Sequence, residues 1–295
     1  TGLPTVALRS FYRGVKVSKS GRATIEDVCA MAEGRNEIDK DLADLNGNTA
    51  AFRLSEGLAF IEAMNQTFAQ QLVYGDTSIN PDGVLGLAPR YNSLSATNAQ
   101  NIIDAGGTGS DNTSVWLIVW GENTVTGIYP KGSQAGLQQQ DLGEIDAFDE
   151  NNDRFRAYAE LWKWKFGLHV KDWRYAVRIA NIDVSDLTGQ TGTQAITAAT
   201  WLNKLMIKAL ARIPSMGMGT ATFMASRTVK EMLSVAALDK SQNALSFTQG
   251  VNQYGTVAPG SVAGQGTGIQ GGQLQFMGVP VLTVDQILAT EARVV

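Results

Sequence analysis

The sequence predicts an α+β protein on three observations. Between Tyr158 and Ile179, aromatic or β-branched side chains alternate with charged ones; between Leu54 and Leu72, apolar side chains recur at helical spacing; and from Ala195 onward helix, strand, helix, loop and strand patterns follow one another. Period-two alternation is the sequence form of a half-buried strand, and three-and-four spacing is one face of a helix.

Residues 1–34 read as two polar strands about a basic tip. TVALRSFYRGV leads into KVSKSGRATIEDVCAM, with Lys16, Lys19 and Arg22 around Ser20-Gly21, a turn dipeptide. A solvated hairpin is the bland reading, but an isolated two-stranded hairpin is marginal in water and needs a surface to lie on. Ile38, Leu42 and Leu45 predict a short amphipathic turn stopped by Asn46-Gly47-Asn48. A long helix then starts at Thr49 or Ala51 and stops at Gly75, its stripe being Leu54, Leu58, Ile61, Met64, Phe68 and Leu72. A stripe containing Met and Phe is far more often core than a cofactor box. Residues 77–110 read as loop.

The stretch from Ser114 to Asp183 is the most organised. SVWLIVWGENTVTGIYPKG opens it, DAFDENNDRF turns it, and AYAELWKWKFGLHVKDWRYAVRIANID closes it. Tyr158, Trp162, Trp164 and Phe166 share one parity; Trp173, Tyr175, Val177 and Ile179 share the other, with Arg174 and Arg178 facing away from them. A bulge or bend is expected near Phe166-Gly167, before that parity changes. Strands of this length make a hairpin too long for a small domain, so an extended structure is expected. After a polar connector, a helix is expected from Ala195 to Ile213, a strand at GTATFMAS, a helix from Ser226 or Thr228 to Leu238, and a strand near 279–284. Residues 241–273 carry no periodicity.

Composition narrows the chemistry. The 295 residues are 44% hydrophobic and 18% charged, with 31 Gly and a net charge of −4. Mean hydropathy is −0.08. These values are those of a soluble globular chain, with charge below the usual quarter, and the negative balance argues against a general nucleic-acid coat. No apolar run reaches the roughly 18 residues of a membrane span, and no signal-peptide pattern is present. The chain opens on Thr1, as expected where a leading segment is removed or omitted. Its single cysteine, Cys29, excludes an intramolecular disulfide and multi-cysteine metal sites, and is expected to be a small buried apolar residue, free of intersubunit disulfides. The single histidine, His169, falls inside the alternating strand, where a structural role outweighs a catalytic one.

The near-misses for ligand chemistry read as turns. Gly127–Ser133, GIYPKGS, has the outer spacing of a phosphate loop but lacks the Lys, and Pro130 removes a backbone donor. Gly106-Gly107-Thr108-Gly109 precedes a strand rather than a helix. The acidic turn Asp146, Asp149, Glu150 and Asp153 lacks calcium-loop spacing and has no apolar flank to raise a pKa. A solvated turn, or an electrostatic contact with a basic neighbour, fits it better. No catalytic residue, cofactor or metal site is expected.

Several long segments also carry a resemblance. WGENTVTGIYPKGSQAGLQ, KDWRYAVRIANID, DKDLADLNGNTAAFRLSEGLAFIEAMNQ and YGDTSINPDGVLGLAPRY resemble segments of tailed-bacteriophage major capsid proteins with the Hong Kong 97 fold. The resemblance implies a division into four parts. Residues 1–34 would be the extended loop that reaches across a neighbouring subunit, and 35–92 the spine-helix part of the peripheral domain. Residues 93–183 would be the long-stranded hairpin linking peripheral and axial domains, and 184–295 the axial domain. Relative to the family's usual order, these blocks imply a rearranged chain connectivity.

It also implies a structural function: copies would assemble, as hexamers and pentamers, into an icosahedral shell around a double-stranded DNA genome. Lys16, Lys19, Arg22, Asp146, Asp149, Glu150 and Asp153 become candidate subunit-interface residues. The implied partners are further copies, packaged DNA held without sequence reading, a portal, and cement or scaffold proteins. Assembly is expected in the bacterial cytoplasm, with no membrane involved. Two alternatives remain open: a nanocompartment shell of the same fold, and a β-rich hydrolase or carbohydrate-binding protein using Trp162, Trp164 and Trp173 as a sugar platform.

Overall fold

Local sequence sets the first half of the chain in alternating strand and helix. The computed structural model describes residues 4–21, 25–45, 47–188, 193–238, 245–248 and 273–295. Strand β1 (Cys29–Asp39) runs into the one-turn helix α1 (Lys40–Asp44), where the Asp39 carboxylate accepts from the amides of Asp41 and Leu42 at 2.8 and 3.3 Å. Asn48 caps α2 (Thr49–Tyr74) by accepting from Ala51, and Gly75 closes it. Gly75 is needed for space, since a Cβ there would collide with the carbonyls of Val84 and Gln71. The short α3 (Leu87–Arg90) and β2 (Ile102–Asp104) follow.

Next come β3 (Asn112–Trp120), β4 (Val125–Ile128), β5 (Leu137–Phe148), β6 (Arg154–Val170) and β7 (Ala176–Asp183). The remainder holds α4 (Val184–Thr188), α5 (Thr193–Arg212), β8 (Thr220–Ala225), α6 (Arg227–Leu238), β9 (Leu245–Thr248), β10 (Gln273–Phe276) and β11 (Val279–Thr283).

The run SVWLIVW is apolar at successive positions because both faces of β3 are covered, the usual reason for an unbroken apolar strand. Val115, Leu117 and Val119 face one core with Val177, Ile179, Phe223 and Val281, closed by Leu202, Leu205 and Met206 of α5 and Val229 and Leu233 of α6. Trp116 and Ile118 face a second core with Val73, Leu87, Tyr91, Phe166 and Leu168. Strand β3 pairs antiparallel with both β7 and β8, while β2 joins β7 and β11 joins β8 in parallel. Strands β9 and β10 extend the sheet beyond β11.

The long hairpin hangs from this sheet through β6. One edge of β6 pairs with β1 from Ala157 to Gly167; the other takes β5 from Arg154 to Trp164 and then β4 from Gly167 to Val170. Helix α2 lies across β1 and β6. Phe68 stacks on Trp164 with centroids 4.6 Å apart and meets Phe166 edge-on. At Gly57, a Cβ would lie 3.0 Å from the buried Trp162 ring.

Several expectations are corrected. Strand β6 is continuous through Phe166-Gly167; Gly167 is a crowding glycine paired on both sides, where a Cβ would approach Ile128, Cys29 and Val28 O at 2.9–3.0 Å. The bulge lies on β5 instead, where the register shifts between Asp141 and Gly143 and Gly143 takes φ +74°. Parity changes at the 3-10 turn Trp173–Tyr175, capped by Asp172. Residues 4–20 contain no strand, and the arm turns at Ser10–Arg13 rather than at Ser20-Gly21.

Ile38, expected in a helical turn, is a buried strand residue opposite Tyr158. Leu54 and Leu58 of the expected stripe are exposed, and the buried face of α2 runs through Gly57, Met64 and Val73. Cys29 is exposed rather than buried. The boundary expected at 183/184 is not a break in the sheet, because β3 and β7 share it with β8 and β11: the two blocks interleave. Most of residues 241–273 lie outside the described residues.

Candidate assembly surfaces

The amino-terminal arm exposes what a lone subunit would normally bury. Val6, Leu8, Phe11, Tyr12 and Val17 are 89–106% exposed, as open to water as in an extended peptide. Their loop is closed on itself: Ser18 Oγ donates to Thr5 O at 2.7 Å, and Arg13 N to Ser10 O at 3.3 Å. Tyr12 stands at the turn with φ +62°. Full burial of one such side chain is worth about 1.5–3 kcal/mol. A contiguous exposed apolar stretch of this kind marks a contact surface. Lys16 and Lys19 are exposed beyond the turn, whereas Arg22 lies outside the described residues. The sequence reading fixed on these cations and passed over the apolar side chains between them. TVALRSFYRGVKV does carry a signal, namely apolar residues with no matching partner strand.

Where the arm meets the body, three ionisable side chains converge. The Asp27 side chain is 4% exposed; its Oδ1 accepts from Arg90 Nη2 at 2.5 Å and its Oδ2 pairs with His169 Nδ1 at 2.6 Å. Burial works to raise the Asp27 pKa, but hydrogen bonds from Arg90 and His169, with their charges, bring it below the ordinary carboxylate value. The alternating strand predicts a structural rather than a catalytic His169, and no local signal connects it with Asp27, 142 positions away. Cys29, two residues on, is exposed as a residue, yet partial desolvation of its thiol shifts the pKa upward.

The acidic tip of the β5–β6 hairpin is exposed. Asp149 accepts from the amides of Asn151 and Asp153 at 2.9 and 2.8 Å, a turn stabilised by its own side chain. Asp146 meets Arg156 at 3.2 Å, and Glu150 and Asp153 face water. The structure therefore groups Asp146, Asp149, Glu150 and Asp153 at one tip, apart from Lys16 and Lys19 on the arm. Deeper along the hairpin, Arg53 of α2 reaches Asp141 at 2.9 Å and the buried Glu160 at 2.8 Å, and its guanidinium lies 5.1 Å from the Tyr158 ring centroid. Lys40 meets Glu144 at 2.6 Å. These contacts hold helix and hairpin as one unit.

A second buried charge network ties the last residues to the sheet. Arg178 Nη2 meets Glu291 Oε2 at 2.8 Å, Arg178 Nη1 donates to Tyr91 O at 2.7 Å, and the guanidinium lies over Trp116 at 5.1 Å. Glu291 also accepts from Ser114 at 2.7 Å and from the Tyr74 hydroxyl. Burial, then the Glu291 charge, pushes the Tyr74 pKa far above its ordinary value, so the phenol remains a donor. The alternation of β7 put Arg178 on a polar face; in fact that face covers the second core, and Arg178 is 4% exposed.

Other chemistry finds little support. Among the described residues no group of three or more His, Cys, Asp or Glu side chains converges to hold a metal ion. Pro130–Ser133 forms a turn, with Gly132 at φ +87°; the expected turn at Gly106 is absent, since Gly106, at φ +85°, lies between Ala105 and Gly107, whose amides donate to Ala180 O and Asn181 O. A hollow of about 370 Å³ is lined by Gln100, Asn101, Arg174 and Arg212, and Arg174 is already paired with Asp172. Trp162 is buried, Trp164 stacks on Phe68, and Trp164 and Trp173 are partly buried against the second core, so the three do not present an open sugar platform. Among the described residues no helix is long and apolar enough to cross a membrane.

Comparison with known proteins agrees with this architecture. A solved structure of bacteriophage Epsilon15, derived from cryo-EM and modeling, contains a chain 31% identical to this one. That match covers 100% of this chain and 82% of the other, with a TM-score of 0.64. A chain of the satellite phage P4 procapsid including size determination (Sid) protein is 13% identical over 61% of this chain and 86% of its own, with a TM-score of 0.30, too low to carry an argument. No curated protein sequence matches. The family profile for major capsid protein GP7 matches residues 1–295. With an α+β sheet core, a long hairpin clasped by its helix and an arm lacking any cover of its own, the chain belongs to the major capsid protein GP7 family.

Proposed function

We propose that this structural shell protein closes, as hexamers and pentamers, into an icosahedral shell around the double-stranded DNA of a tailed phage, and that it does so without catalysis. The observation that carries this reading is the arm, whose apolar residues are open to water in the single subunit and need a second copy to cover them. Each contact between copies can be weak, because a subunit held by several neighbours gains from effective concentration. In this reading Lys16, Lys19 and Arg22 of the arm, and Asp146, Asp149, Glu150 and Asp153 of the hairpin tip, are subunit-interface residues of opposite charge. The arm, residues 1–34, is the extended loop; 35–92 is the spine-helix part of the peripheral body, 93–183 the long-stranded hairpin linking peripheral and axial bodies, and 184–295 the axial body.

Packaged DNA is met as a polyanion. Helix α5 supports such a contact, since Lys204, Lys208 and Arg212 recur every four residues on a helix without Asp or Glu. A portal and cement or scaffold proteins are the expected further partners, with assembly in the host cytoplasm.

Sedimentation and electron microscopy of the purified full-length chain test the reading. Closed, fast-sedimenting shells are expected, filled with DNA when recovered from infected cells. Shells enclosing an enzyme would favour the nanocompartment alternative, and a product remaining monomeric at all concentrations would remove the assembly reading.

A further inference from the structure

We propose that Asp27 is a positioning residue for assembly: through Arg90 and His169 it fixes the point and direction in which the amino-terminal arm leaves the subunit. The proposal rests on the reading that the arm crosses to a neighbouring copy.

Three observations carry it. First, the hydrogen bonds of the arm loop among the described residues, Ser18 to Thr5 and Arg13 to Ser10, close within the arm rather than onto the body. Second, Asp27 is the first carboxylate along the chain to be buried against the body, and it bridges two separate elements, α3 and β6. Third, both mounts are stiff. Arg90 also donates through Nε and Nη2 to Leu85 O at 3.3 and 3.1 Å, while its carbonyl accepts from Asn98 at 2.7 Å. His169 lies in a strand paired with Thr126 of β4.

Immediately after Asp27 the backbone passes over Gly167, so closely that a Cβ there would stand 3.0 Å from Val28 O and Cys29 Sγ. The chain is thus pinned by charge at Asp27 and by close packing at Val28–Cys29. An arm that must reach the same place on every neighbour needs a fixed origin. Holding two carboxylate oxygens on two different elements removes rotation about a single bond. A mispointed arm would lose its neighbour contact while the apolar packing of the two cores remains.

The test uses the full-length chain in a Cys29→Ser background, with nitroxide labels on Lys19→Cys and Thr97→Cys. Pulsed electron resonance of unassembled subunits should give a narrow distance distribution, and Asp27→Asn should broaden it at least twofold. Without labels, Asp27→Asn subunits should melt cooperatively yet give at least tenfold fewer closed shells by electron microscopy, and Asp27→Glu should recover a large part of that loss. Should Asp27→Asn fail to fold, Arg90→Lys, which keeps the charge and loses the two-pronged donor, takes its place with the same readouts. A distribution equally broad in the unsubstituted arm, or normal shell yield from Asp27→Asn, would overturn the proposal. Absence of shells from the unsubstituted chain would instead remove the assembly reading, leaving the distance measurement to decide whether Asp27 anchors the arm.

Discussion

Arg178 and Asp27 show how single side chains decide what their surroundings tolerate. Arg178 and Glu291 are both buried, and a buried pair is weak evidence of net stability, but removing one partner strands the other charge at a cost of about 3–5 kcal/mol. Arg178→Met should therefore destabilise the subunit by about that amount in urea titrations, while Arg178→Met combined with Glu291→Leu should cost clearly less than the two single variants summed. Additive losses would show that the pair is not coupled. Asp27 makes a pH prediction. Its pKa in the folded subunit lies below the unfolded value of about 3.9, so its contribution is fully present above that pH and is lost as pH falls through the folded value. Asp27→Asn should cost about 1–2 kcal/mol at pH 7, and the difference from the unsubstituted protein should shrink as pH falls through the lowered folded-state pKa of Asp27. A difference that persists in strong acid would assign the effect to packing.

At the level of elements, the contact between α2 and the long hairpin shows which parts of the fold were legible. The spacing of apolar residues placed α2 from Thr49 to Gly75, because helix period and a terminal glycine are local signals. The same spacing misplaced Leu54 and Leu58, since a stripe drawn on one helix does not know how far its partner strand extends. The bulge was expected at Phe166-Gly167 for a similar reason. A glycine in a strand signals either a bulge or a close approach, and only the three-dimensional neighbours Ile128 and Cys29 decide. The buried networks were illegible because their members are far apart in sequence: Asp27 with Arg90 and His169, Arg178 with Glu291.

Gly57 offers a test of the α2 contact. Gly57→Ala should gain about 1 kcal/mol of helix propensity, but the new Cβ would meet the buried Trp162 ring at 3.0 Å. Overpacking of this kind costs about 1–3 kcal/mol. A net loss is expected in thermal melts, and a gain would show that Trp162 is free to shift.

For the whole molecule, the central contrast is between a well-packed body and an uncovered arm. The body has two cores on the two faces of one sheet, whereas the arm presents Val6, Leu8, Phe11, Tyr12 and Val17 to water. In the proposed shell, charges on such an arm would act on assembly rather than on folding. An exposed ion pair contributes only about 0–1 kcal/mol, but equivalent contacts repeat across a shell. Replacing Lys16, Lys19 and Arg22 with Ser should leave the melting temperature of the subunit within a few degrees and lower shell yield, most strongly at low salt, where these charges are least screened. Normal yield at every salt concentration would remove these cations from the interface.

The most direct measurement is a cryo-EM reconstruction of the assembled particle at a resolution that traces residues 4–28. The account predicts the arm of each subunit lying across a neighbouring copy, with Phe11 and Tyr12 covered by that neighbour and Asp27 still joined to Arg90 and His169 of its own chain. An arm folded back on its own subunit, or one left open to solvent in the closed particle, would contradict it.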